Sequence, residues 1–176
     1  VPEYAETSPG ERYVGVFKQL LERDARPGLD RRPLVLDAGC GSGKGSTALA
    51  DAGFRVIPHD FVADGFHAGH DTRLGPLLLC PIWKLPDHLQ GTVDAIYCTD
   101  VLEHLPTELV GLTIQALLAS ATCGVFLSVS LQPDGFGVLV GEPLHKTVRE
   151  FVWWRDLCRT LAVDVVDARD LGHSAL

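Results

Sequence analysis

Residues Leu34-Val35-Leu36-Asp37-Ala38 form a short apolar run that carries an acid near its end, and Gly39, Gly41 and Gly43 follow at alternate positions. Gly45-Ser46-Thr47-Ala48-Leu49-Ala50 then has the composition of a helix start. Glycine tolerates positive φ and lets a ligand approach the main chain closely. The first N–H groups of a helix have no intrahelical partner. A buried strand, a glycine turn and a helix therefore predict a cradle for a polar cofactor at the carboxyl end of a first strand. Two familiar cradles are excluded by spacing. Lys44 stands where the dinucleotide pattern, counted from Gly39, needs its third glycine. The phosphate-loop pattern fails too: it needs one more residue before the Gly-Lys pair, and Gly45 replaces the required Ser or Thr.

The run Asp37-Ala38-Gly39-Cys40-Gly41-Ser42-Gly43 resembles motif I of the class I S-adenosylmethionine (SAM) methyltransferases. That resemblance implies a Rossmann-like α/β fold: a doubly wound, mostly parallel sheet with helices on both faces. It also implies a cofactor site. Gly39, Cys40, Gly41 and Gly43 would form its turn, and Asp37 would lie near the methionine amino group, directly or through water. Asp60 would hold the ribose hydroxyls, since a carboxylate accepts two hydrogen bonds from a vicinal diol. Ile82 and Trp83 would flank the adenine, and Cys98 would offer its carbonyl beside the methionine. Read without the resemblance, Asp60 is equally a turn cap and Trp83 equally a core residue.

The remaining chain alternates strands with helices. Val14, Phe17, Leu20 and Leu21 have helical spacing, which predicts a helix over 10–26 behind a capping box at Ser8-Pro9-Gly10-Glu11. Strands are expected over 33–37, 54–57 (ending near Asp60), 77–80, 93–98, 123–130 and 162–168, and helices to about Ala52, over 106–120 and over 148–161. Residues 61–76 read as an irregular crossover with one short helix, and 131–147 as a long loop with the character of a lid or substrate segment. The family's seventh, antiparallel strand has no clear candidate after Ala168. Either the sheet is short of its last strand or that strand hides in a segment without pattern. The whole chain, 1–176, reads as one domain: a helix and link over 1–32, a cofactor core over 33–130 and a substrate segment over 131–176.

Asp100, Glu103 and His104 follow the fourth expected strand at i, i+3 and i+4, so one helical turn would point all three the same way. His145 lies before the aromatic helix Phe151-Val152-Trp153-Trp154-Arg155. This arrangement resembles two metal-dependent groups, the small-RNA 3′-terminal 2′-O-methyltransferases and the ubiquinone-pathway O-methyltransferases. By that resemblance Asp100, Glu103, His104 and His145 would bind a divalent cation, Mg²⁺, Mn²⁺ or Zn²⁺, although those groups carry Glu where this chain has Asp100. The cation would lower the pKa of a bound hydroxyl. The residues alone also permit a metal-free site in which His104 is general base and Glu103 orients it, or no catalytic role. His67, His70 and Asp71 form a second, less complete group, read as surface or pocket wall.

The composition is ordinary for a soluble globular protein, with 46% hydrophobic and 22% charged residues. The net charge of −8 disfavours nucleic acid, whose binding requires neutralised phosphates. Lys146, Arg149, Arg155 and Arg159 could still supply a short basic track. The five cysteines lack a C-x-x-C pair and read as reduced thiols in a cytoplasmic protein. No membrane span or signal peptide is visible, and the lack of methionine implies a processed or trimmed start. The favoured function is SAM-dependent O-methylation of a small molecule or sugar diol. RNA 3′-end 2′-O-methylation and a non-catalytic SAM-binding module are the alternatives.

Overall fold

The computed structural model describes residues 9–23, 32–135, 137, 141–161, 164–165, 167–172 and 174–175. A short 3₁₀ turn at Pro9–Glu11 leads into α1 (Val14–Arg23). Then come β1 (Leu34–Ala38), α2 (Lys44–Asp51), β2 (Arg55–Asp60), β3 (Leu78–Leu79) and β4 (Val93–Thr99). A 3₁₀ turn at Leu102–His104 precedes α3 (Thr107–Ser120), which runs directly into β5 (Ala121–Ser130). The last described elements are α4 (Phe151–Leu161) and β6 (Ser174–Ala175). They form a six-stranded sheet in the order β3-β2-β1-β4-β5-β6. All pairings are parallel except β5 with β6. This is the expected doubly wound architecture, as right-handed crossovers between parallel strands require.

Alternation along the strands builds a core on each face. Leu36, Ile96 and Cys98 pack with Val110, Ile114, Leu117 and Trp154 from α3 and α4. Their neighbours Val35, Ala95 and Tyr97 pack the other way, with Phe17 of α1, Leu49 of α2, Phe54 and Phe126. Tyr97 stacks on Phe126 with ring centroids 5.4 Å apart and planes 5° apart, and Phe17 closes on both. The strand order reverses between β1 and β4. The carboxyl ends of these two strands therefore flank a crevice where an open α/β sheet binds its ligand.

Three expectations change. The helix expected from Val148 begins at Phe151. The strand expected over 162–168 is not seen at Asp164, Val165, Asp167 or Ala168, and Ala162, Val163 and Val166 lie outside the described residues. The antiparallel strand, for which no candidate was found, is present as β6: Ala175 pairs Val129 and Ser174 pairs Ser130. A tight reversal makes it possible. Gly172 takes φ 81°, its N–H donates to Asp170 Oδ1 at 2.7 Å, and Leu171 N–H donates to the Ser174 carbonyl at 2.9 Å. The expected cap residue Ser8 and the helix end at 24–26 also lie outside the described residues. Among the described residues, no helix is long and apolar enough to cross a membrane.

Candidate active site

The glycine turn leaves the carboxyl end of β1 as its sequence requires. Gly39, Gly41 and Gly43 take φ of 82°, 50° and 84°, values that favour glycine. A Cβ on Gly39 would collide with Val101 Cγ2, and one on Gly43 would lie 2.5 Å from Ala68 Cβ and 2.8 Å from Phe66 Cε2. The turn is anchored to β2: Gly39 N–H and Cys40 N–H both donate to the His59 carbonyl, at 2.9 and 2.8 Å. His59 is itself buried, with Nε2 3.0 Å from the Cys80 carbonyl, and burial lowers its pKa.

Asp37 and Asp60 approach this turn from either side. Asp37 is buried and accepts a 2.6 Å hydrogen bond from Ser46 Oγ, the α2 residue behind the turn. Burial raises its pKa to about 7; Ser46 pulls it down and the Asp60 charge pushes it up. Asp60 Oδ2 accepts from Gly41 N–H at 2.8 Å, and Oδ1 accepts from Phe61 N–H at 2.7 Å and Val62 N–H at 3.3 Å. Asp60 thus caps its own turn and holds the glycine turn, with lone pairs to spare for a diol. Trp83 faces Phe61, ring centroids 6.3 Å apart and planes 29° apart, while Ile82 is buried. Phe61, 63% exposed, was not singled out from the sequence. Its position directly after Asp60 was the available signal, because a side chain there leans over the same end of the sheet. A turn with unpartnered Ser42 Oγ, an acid on each side and a paired aromatic platform fit SAM.

The second cluster differs from expectation. Asp100 is the only described non-glycine residue at positive φ, 60°. A short polar side chain tolerates this left-handed conformation at a cost of roughly 1 kcal/mol, and such sites concentrate at active centres. Its N–H donates to the Ser128 carbonyl at 2.9 Å, which ties the end of β4 to β5. Glu103 is wholly buried and turned into the protein, where Oε1 accepts a 2.6 Å hydrogen bond from Ser130 N–H and Oε2 has no partner. Burial, then the Asp100 charge, raises its pKa to about 8. Glu103 thus ties the 102–104 turn to the end of β5 through Oε1, while its second oxygen stays unpaired. His104 is half-buried at the end of the 102–104 turn that follows β4. Burial lowers its pKa, and neighbouring His145 lowers it further, against the opposing pull of Asp100 and the Leu144 carbonyl. The His104 and His145 rings meet edge to face, centroids 4.8 Å apart at 88°.

Among the described residues, no group of three or more His, Cys, Asp or Glu is arranged to hold a metal ion. Asp100, Glu103, His104 and His145 are brought to one region without forming such a group; Ser130 N–H engages Glu103 Oε1, and Oε2 is left without a partner. Asp71 binds Arg73, which reaches on to Asp51, so the group with His67 and His70 is a surface ion-pair cluster. Cys98 lies buried in β4, and all five cysteines are free thiols. A separate groove of about 580 Å³ runs along the amino-terminal half of β5, lined by Val16, Leu118, Cys123, Val125 and Leu161 among others. None of the site residues expected from the sequence lines it.

Fold and glycine turn together define the class of SAM-dependent methyltransferases. A methyltransferase domain family model matches residues 11–174, and the chain belongs to that family. It is 34% identical over 118 residues to the magnesium-protoporphyrin O-methyltransferase of Synechocystis sp., a match covering 64% of this chain. The match covers 49% of that relative, so the chain spans about half the length of the curated protein it matches. The crystal structure of magnesium protoporphyrin IX methyltransferase from Synechocystis with bound SAM superposes with TM-score 0.65 at 21% identity, over 94% of this chain and 76% of that one. The 1,6-didemethyltoxoflavin-N1-methyltransferase of Burkholderia thailandensis, with S-adenosylhomocysteine (SAH) bound, gives TM-score 0.64 at 21% identity, over 97% and 84%. These structures share the fold.

Proposed function

We propose that this domain transfers the methyl group of SAM to a hydroxyl oxygen of a small-molecule acceptor, with His104 as general base. The carrying observation is a half-buried imidazole, its pKa lowered by burial, on the turn that follows β4, whose preceding residue Val101 packs on Gly39. SAM supplies an electrophilic methyl on a sulfonium leaving group. The chain's residues do the rest. Gly39 to Gly43 and Asp60 position the nucleoside, and Asp37 as carboxylate pairs with the amino group. His104 takes the hydroxyl proton as the O–C bond forms and the C–S bond breaks, and passes it to water as SAH leaves. Position supplies much of the rate in such an in-line displacement, and a positioned base adds about 10²–10⁴-fold.

The curated relative is named an O-methyltransferase, which supports oxygen as the accepting atom. The net charge of −8 weighs against an RNA end as acceptor. The reading routes no step through a cation, since no group of three or more His, Cys, Asp or Glu among the described residues is arranged to hold one. The test uses SAM labelled in its methyl group, with magnesium protoporphyrin, a catechol and a purine-like heterocycle offered in parallel. Label transferred to oxygen, and lost by about 10²-fold or more in His104→Gln while SAH still binds, is the expected result. Transfer at full rate in His104→Gln would overturn the assignment.

A further inference from the structure

β3 is a thin edge of the sheet. Its two residues, Leu78–Leu79, pair with His59 and Asp60 of β2, and Leu79 is 52% exposed. The chain that leaves it nevertheless carries Trp83 to a defined place against Phe61. Cys80 supplies the anchorage. Its N–H donates to the Asp60 carbonyl at 3.2 Å, and its carbonyl lies 3.0 Å from His59 Nε2. Pro81 follows with φ −62°, so a stiff residue joins Cys80 to the 3₁₀ turn Ile82–Lys84 that bears Trp83. Lys84 N–H closes that turn on the Pro81 carbonyl at 2.9 Å, and Ile82 is buried.

His59 reaches both segments of the candidate cofactor site. Its backbone carbonyl accepts from Gly39 N–H and Cys40 N–H and so holds the glycine turn. Its ring holds Cys80. The residue is 1% exposed, and Nδ1 has no hydrogen-bond partner. A carbonyl only accepts, so Nε2 carries the proton and Nδ1 the lone pair. Burial, which lowers the pKa, keeps the ring in this neutral form. An apolar ring at the same position would leave the Cys80 carbonyl without that donor.

On the reading that Trp83 flanks the adenine of the cofactor, we propose that His59 is a positioning residue for that site: its ring N–H, acting through Cys80 and Pro81, sets where Trp83 stands relative to the glycine turn that its own carbonyl holds. One buried residue of β2 thus ties together the two segments, 39–43 and 80–83, that would meet around the nucleoside. Asp60, next in sequence, repeats the pairing with other atoms, its carbonyl accepting from Cys80 N–H and its Oδ2 from Gly41 N–H. The bond to the Asp60 carbonyl is main chain and survives any substitution at position 59. The bond to the Cys80 carbonyl is the one that the residue at position 59 decides.

Long-range ¹H–¹⁵N imidazole spectra and calorimetric titration of SAH test this. His59→Gln assigns the ring and keeps an N–H donor, whereas His59→Phe keeps a ring without one. We expect His59 of the unmutated protein as the Nε2–H tautomer. His59→Phe should bind SAH about five- to tenfold more weakly, the scale of a carbonyl left without its donor, while His59→Gln stays within about threefold of the unmutated protein. Trp83→Ala should itself weaken SAH about fivefold, the scale of an aromatic contact. In the Trp83→Ala background His59→Phe should then cost less than about twofold more, because residues acting through one contact are not additive. An Nδ1–H tautomer in the unmutated protein would overturn the inference, as would unchanged affinity in His59→Phe, a loss in His59→Gln as large as in His59→Phe, or a fully additive loss in the double variant; these leave Trp83 beside the adenine. A His59→Phe chain that does not fold leaves the tautomer and the His59→Gln affinity to decide. Unchanged affinity in Trp83→Ala would sink the reading of Trp83 and the inference with it.

Discussion

Asp37 is 3% exposed, and its burial lifts the carboxyl to a pKa of about 7 against an unfolded value near 3.8. The sign of the consequence follows. A raised acid pKa gives stability that is fully present below the unfolded pKa and is lost as pH rises through the folded one. Glu103, raised from 4.5 to about 8, acts in the same direction. Thermal unfolding should therefore fall in Tm from about pH 5 to pH 8. Asp37→Asn, which removes the charge and keeps an oxygen for Ser46, should flatten that decline while lowering SAH affinity by at least about tenfold, a charged hydrogen bond's worth. A variant that keeps both the slope and the affinity would show that Asp37 neither ionises nor meets the cofactor. At Gly39, φ is 82° and Val101 fills the space where a Cβ would go. Gly39→Ala should destabilise by about 1–3 kcal/mol in chemical denaturation and abolish SAH binding.

The strands with strong apolar runs, β1 and β4, and the helix α3 were legible because burial on a parallel sheet leaves an unbroken pattern. The two-residue β6 was not. A strand that short shows no period, and its pairing is fixed by the reversal at Gly172 and by the edge of β5. The candidate site was legible in parts: the spacing of Gly39, Gly41 and Gly43 predicts the turn that their positive φ values show, and the position of Asp60 at the end of β2 predicts an acid beside it. The tie from Glu103 to β5 was not legible, because i, i+3 and i+4 spacing reports which way side chains point from a helix, whereas Leu102–His104 is a single 3₁₀ turn whose Glu103 Oε1 accepts from Ser130 N–H. Nor was the hold of the Asp134 carboxylate on the N–H groups of Gly137, Leu144 and His145, which no local pattern reveals. Thr147 joins the same elements through its hydroxyl and is fully buried. Thr147→Val should cost about 1–3 kcal/mol by equilibrium unfolding, since the Leu105 carbonyl loses its donor. An unchanged midpoint would show that the segment is not pinned there.

At the scale of the whole molecule, the sheet places the glycine turn at the end of β1 beside the 102–104 turn that follows β4, across the point where strand order reverses. The cofactor and acceptor ends proposed above would thus come from separate parts of the chain. Because no group of three or more His, Cys, Asp or Glu among the described residues is arranged to hold a metal ion, excess EDTA should leave methyl transfer unchanged in the labelled-SAM assay; loss restored by Mg²⁺, Mn²⁺ or Zn²⁺ would reverse that reading. The central claim, that residues 39–43 hold SAM with Asp37 beneath its amino group, is tested most directly by calorimetric titration of SAH at pH 6 and pH 8. The account predicts one site per chain, tighter at pH 8 by about tenfold, because a carboxyl with a pKa of about 7 is mostly protonated at the lower pH. Absence of heat at both pH values from folded protein, or equal affinity at the two, would contradict it.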